Sequence, residues 1–82
     1  MSDARGTRAE LYGARLKAEV ERQSKSGRWL ADQLGVTESA VSRWFAGSRE
    51  IGDDHRIAAA RALGLPLLAL FPPMTAAGEL VA

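Results

Sequence analysis

Thr37, Glu38, Ser39, Ser42 and Arg43 are the residues whose types and spacing best suit chemistry. Each can donate or accept a hydrogen bond, and none is large and apolar. On a helix capped by Thr37 they share one outward face at three-to-four residue intervals. Such a face suits the major groove of double-stranded DNA, where base pairs differ in their pattern of donors and acceptors. Arg43 is the residue type that most often pairs with guanine. Glu38 has two readings: it accepts from cytosine N4, or it favours the positive N-terminus of its own helix. A second cluster, Asp53, Asp54 and His55, superficially resembles a metal or acid–base site. Adjacent helical residues do not face one another, and "GDDH" is an ordinary capping turn. With one His and no Cys, no nucleophile–base pair and no thiolate metal site can be assembled. The expectation is a protein that is not an enzyme and uses no metal and no cofactor.

The stretch "LADQLGVTESAVSRWFAG", residues 30–47, must position that face. Gly is about 1 kcal/mol worse than Ala in a helix interior, so Gly35 marks a turn between two short helices. Helix, Gly-containing turn, helix is the helix-turn-helix arrangement. Leu30, Leu34, Val36, Val41 and Trp44 are apolar where the two helices pack, and Ala31 is small where they approach closely. Periodicity predicts three further helices and no strand. Thr7 with Glu10 forms a capping box, and Tyr12, Leu16 and Val20 recur on one face of the first helix. The polar break "QSKSG" follows, and the second helix starts near Ser26 or Gly27. Thr37 caps the third, which Gly47 ends. Asp53 or Asp54 caps the fourth, which presents Ile57, Ala60 and Leu63 inward and stops at Gly64. Pro66 begins a fifth, short helix, "PLLALF". Residues 1–6 read as a flexible N-terminus, 7–72 as the domain and 73–82 as a C-terminal tail, either loose or an extension of a dimer contact. Trp44 is expected in the core, and Trp29 over the junction with the first helix.

At 82 residues, with 46% apolar and 6% aromatic residues, the chain suits one domain with a modest core. The absence of Cys suits a reducing, cytoplasmic setting. "MSDARGTRAEL" has no apolar signal core. The longest uncharged run, residues 62–78, is short and broken by Pro66, Pro72 and Pro73, so no membrane span is expected. Net charge is +1, but residues 1–49 carry nine Lys/Arg against six Asp/Glu, while residues 50–82 carry two against four. The positive balance thus lies with the helix-turn-helix half.

"LADQLGVTESAVSRWFAG" resembles the helix-turn-helix of the lambda-repressor/Cro-like (XRE-type) DNA-binding domains, and "ARALGLPLLALF" resembles their fourth and fifth helices. The resemblance covers roughly residues 8–71. It implies an all-α, compact five-helix domain that binds operator DNA as a homodimer and regulates transcription. Carried over, the base-reading positions fall on Thr37, Glu38, Ser39, Ser42 and Arg43. The phosphate-anchoring positions fall on Gly27 and Arg28 and on Gly47, Ser48 and Arg49. Gly27 stands where many members have Gln, so that side-chain contact is missing; the backbone N–H groups of the helix start, with Arg28 or Lys25, can replace it. Many members also pair an Arg with a Glu at the positions of Val20 and Phe45. Here both are apolar, an exchange that costs little or no stability.

A rival reading keeps the fold but makes it a protein-interaction module, such as an antitoxin that binds a toxin. That would call for exposed aromatic or aliphatic anchors, and residues 37–43 offer polar groups. Such anchors are expected at the C-terminal end instead. Leu67, Leu68, Leu70 and Phe71, with Leu65, are too many apolar residues for one short helix to bury, which points to a homodimer surface there.

Overall fold

The computed structural model describes residues 7–81; the N-terminal segment 1–6 lies outside the described residues. It contains five helices, α1 Arg8–Arg22, α2 Gly27–Leu34, α3 Glu38–Ala46, α4 Asp53–Leu63 and α5 Leu67–Leu70. Local chemistry sets most of their ends. The Thr7 hydroxyl accepts from the Glu10 N–H at 3.1 Å while the Glu10 carboxylate accepts from the Thr7 N–H at 3.0 Å. Ser26 Oγ accepts from Trp29 N–H, and Thr37 Oγ1 from Ala40 N–H. Gly35, Gly47 and Gly64 close α2, α3 and α4 in the left-handed conformation that glycine adopts without strain.

One core joins the helices. Tyr12, Leu16 and Val20 of α1 meet Leu30 and Ala31 of α2, Val41 and Trp44 of α3, Ala59, Ala60 and Leu63 of α4, and Leu70 and Phe71. Val20 is buried and Phe45 is half-buried against this cluster, so both positions at which the resemblance implies an ion pair hold packed apolar side chains. Every buried side-chain nitrogen or oxygen among the described residues has a hydrogen-bond partner.

Four expectations need correction. Gly52, not Asp53 or Asp54, is the residue before α4, and no side chain caps that end; the two Asp residues occupy its first turn, near the positive end of the helix dipole. Ile57 is 43% exposed, because α4 turns Ala59, Ala60 and Leu63 inward. Leu70 and Phe71 are 3% and 2% exposed and are core residues, not parts of a dimer surface. The reason is α1: Arg15 donates from Nε to Leu70 O and from Nη2 to Ala69 O, both at 2.9 Å, and draws the single turn of α5 inward. The Tyr12 ring then packs on Phe71 at 5.1 Å, and its hydroxyl donates to Pro72 O. Lastly, the tail is not loose. Residues 73–81 double back through an isolated antiparallel bridge between Met74 and Leu80, and both side chains pack against the core.

Candidate nucleic-acid interface

The turn between α2 and α3 puts the predicted face on the outside of the molecule. Gly35 leaves α2 with φ of 70°, Val36 packs on the core, and Thr37 starts α3. Val41 and Trp44 then point inward, so Glu38, Ser39, Ser42 and Arg43 point outward, all exposed. Thr37 is exposed as well, but its oxygen is engaged in capping Ala40. Its hydroxyl proton remains available.

Charge is arranged around this face in a particular way. Among the described residues, the side chains of Arg28, Arg43 and Arg49 have no hydrogen-bond or ion-pair partner, and all three are exposed. Arg28 stands in the first turn of α2, beside N–H groups that the Ser26 cap only partly satisfies. Lys25 precedes that cap, and its ammonium lies 5.0 Å from the centre of the Trp29 ring. Trp29 is half-buried against the core and carries this cation beside α2. An open groove of about 390 Å³ runs between α2 and α3, with Arg28, Lys17 and Glu38 on its rim and Val41 and Phe45 at its floor. Glu38 therefore shares its surroundings with these two cations and with Glu21, which also lines the groove.

The loop after α3 contributes less than expected. The Gly47 N–H donates to Trp44 O and the Ser48 N–H to Arg43 O, both at 3.0 Å. The Ser48 hydroxyl also turns back to Arg43 O, at 3.3 Å. These donors close α3 and do not face outward, while the Arg49 side chain is exposed. At Gly27 an added Cβ would lie 3.4 Å from Phe45 and 3.5 Å from Val41, so the residue fits closely against the floor of the groove.

Asp53, Asp54 and His55 are not gathered into one metal-ligating group. Asp53 pairs with Arg56, His55 lies against Trp44 with ring centres 5.1 Å apart, and no cluster of three metal-ligating side chains exists among the described residues. No helix there is long and apolar enough to cross a membrane. The shifted acids lie elsewhere too. The Thr7 backbone N–H and hydroxyl hold the Glu10 carboxyl below the usual carboxylate range, and Arg22 with Gln23 does the same for Glu19. Sequence reasoning missed Gly13, whose signal was a lone glycine inside the helical pattern "LYGARL".

This geometry defines a helix-turn-helix domain, and comparison with known proteins agrees. A helix-turn-helix family model matches residues 16–70. The chain belongs to the lambda-repressor/Cro-like (XRE-type) helix-turn-helix family of DNA-binding transcription regulators. Its fold is similar to that of the clp gene regulator ClgR from C. glutamicum, with a TM-score of 0.75 at 22% identity over 79% of this chain and 84% of that one. The restriction-modification controller protein C.AhdI from Aeromonas hydrophila is similar at TM-score 0.69 and 27% identity, over 73% and 91%. The P22 c2 repressor, solved in complex with a synthetic operator, is similar at 0.67 and 23%, over 74% and 92%. None of the curated protein sequences compared with the chain matches it.

Proposed function

We propose that this regulator reads a specific double-stranded operator with α3 in the major groove. Thr37, Glu38, Ser39, Ser42 and Arg43 contact base edges, while Lys25, Arg28, Arg49 and the first N–H groups of α2 from Gly27 hold phosphates. The single observation that carries this reading is the exposed polar face of α3, flanked by arginines that have no partner among the described residues. Unpaired guanidinium groups fit phosphate oxygens and guanine edges in paired hydrogen bonds. The protein acts by occupying DNA, without catalysis or cofactor, in the cytoplasm. The active species is a homodimer on a two-fold-related operator, since one domain reads few base pairs and a net charge of +1 adds little non-specific affinity. Leu67 and Leu68, which are exposed, are the apolar residues of α5 suited to that contact.

Selection of bound duplexes from a random pool, followed by gel shifts across a salt series, tests the reading. The expected result is one enriched, two-fold-related motif bound with steep salt dependence. A folded protein that enriches no motif would contradict it.

A further inference from the structure

The recognition helix has two ends, and they are held differently. Its N-terminal end hangs from α2 through the Gly35 turn, where an added Cβ at Gly35 would meet nothing within 4 Å. Its C-terminal end rests directly on the backbone of α1. A Cβ at Gly13 would overlap the carbonyl oxygen of Trp44 and lie 3.0 Å from the carbonyl carbon and 3.5 Å from Gly47 N. Across the same seam, a Cβ at Gly47 would lie 2.8 Å from the Cα of Glu10 and 2.9 Å from its Cγ. Glu10 is itself fixed by the capping box with Thr7. Gly13 is buried in the interior of α1, where it costs about 1 kcal/mol of helix propensity relative to Ala. The close approach of two backbones is what that cost permits.

We infer that Gly13, with Gly47 across from it, is a positioning residue for base reading. It sets how closely the last turn of α3 stands to α1, and so the tilt at which Ser42 and Arg43 are presented. Any side chain at position 13 must push the Trp44 carbonyl away, and α3 then pivots about its Gly35 end. Hydrogen bonds to base edges tolerate only about 0.5 Å of misplacement. Lys25 and Arg28 lie at the start of α2, away from the seam, whereas Arg49 follows it two residues after Gly47. The inference rests on the DNA-reading proposal above.

The test uses the full chain, the duplex enriched by selection and an unrelated duplex of equal length, below the melting temperature of each variant. Gly13→Ala is expected to lower the ratio of specific to non-specific affinity by about tenfold or more, the scale of a misread base pair. Non-specific binding should fall less than specific binding, because of its phosphate-holding cations only Arg49 adjoins the seam. Gly47→Asn accepts the left-handed backbone but keeps the collision with Glu10, so it should lower the ratio in the same direction, and it decides the matter if Gly13→Ala does not fold. Gly64→Asn carries the same backbone strain into open space and should leave the ratio unchanged. A folded seam variant that melts earlier yet keeps the wild-type ratio overturns the inference and leaves the DNA-reading proposal standing. A wild-type protein that selects no motif overturns both.

Discussion

Arginines on the two sides of this molecule do different work. On the side of α1, α4 and α5 they are tied down, apart from the exposed Arg61. Arg15 donates to two carbonyls at the end of α5, Arg56 donates to Ile51 O and lies 5.6 Å from the Tyr12 ring, and Arg22 pairs with Glu19. Around α2 and α3, Arg28, Arg43 and Arg49 have no partner among the described residues. The same residue type is an internal clamp where an acceptor lies near, and stays open where none does. Composition alone cannot separate the two uses.

The largest effect should come from the face of α3 opposite the open arginines. Trp44 is 2% exposed and packs against His55. Trp44→Asp buries an unpaired carboxylate and should cost several kcal/mol, enough to unfold a small domain. Loss of the cooperative thermal transition is the expected result. An unshifted melting temperature would mean that α3 faces the other way and that the contrast between its two sides is false.

The next pair of variants divides the two arginine classes. Arg43→Ala should leave the melting temperature nearly unchanged and remove about 1–3 kcal/mol of discrimination at one base position. Arg15→Ala should do the reverse. It removes two charge-assisted hydrogen bonds to α5, worth about 1.5–3 kcal/mol each, and should lower stability while the folded protein keeps its base preference. Melting curves beside operator titrations check both. If the effects were exchanged, clamp and reader would have been assigned to the wrong sides.

Arg28→Ala and Arg49→Ala should act more weakly and without regard to sequence. Removing one phosphate-binding cation lowers the slope of log affinity against log salt by about 0.9. Base preference should not change, because phosphate contacts position the protein and carry no sequence information directly. A variant that altered base preference with no change in slope would move that arginine among the readers.

The arrangement of α2 and α3 was legible in the sequence because its signals are local. Ser26, Thr37, Gly35 and Gly47 act within four residues of themselves, and the inward set Leu30, Val41 and Trp44 follows from helical spacing alone. The α5 region was not legible. Leu70 and Phe71 are buried by Tyr12 and Arg15, more than 50 residues away in the chain, and Arg15 reaches backbone carbonyls, which leave no mark on a sequence. The tail could not be read for the same reason, since its turn back onto the core depends on surfaces that other elements supply. Asp53 and Asp54 look like caps, but the chain enters α4 one residue earlier than their side chains could use. On the candidate interface, residue types were readable and residue availability was not. The Gly that ends α3 already implies that the N–H groups of residues 47 and 48 turn back to close it, but nothing in "AGSR" foretells that the Ser48 hydroxyl turns back as well while Arg49 stays open.

The smallest expected effect concerns the tied side again, at the start of α1. The Glu10 carboxylate accepts from the Thr7 N–H at 3.0 Å and from the Thr7 hydroxyl at 3.1 Å, and these bonds hold its pKa below the usual 4.5. A carboxylate with a lowered folded-state pKa binds fewer protons folded than unfolded. Its stabilisation is therefore fully present above the unfolded value and is lost as pH falls through 4.5 toward the lower folded value. Glu10→Gln keeps the side-chain length and an accepting oxygen but removes the charge. Wild type should melt slightly higher than Glu10→Gln near neutral pH, and the gap should close as the pH is taken down through the carboxylate range. The effect is modest because the group is fully exposed and water competes for it. A gap that stayed constant down to strongly acid pH would show that the charge of Glu10 contributes nothing, and that the capping box holds α1 through neutral hydrogen bonds alone.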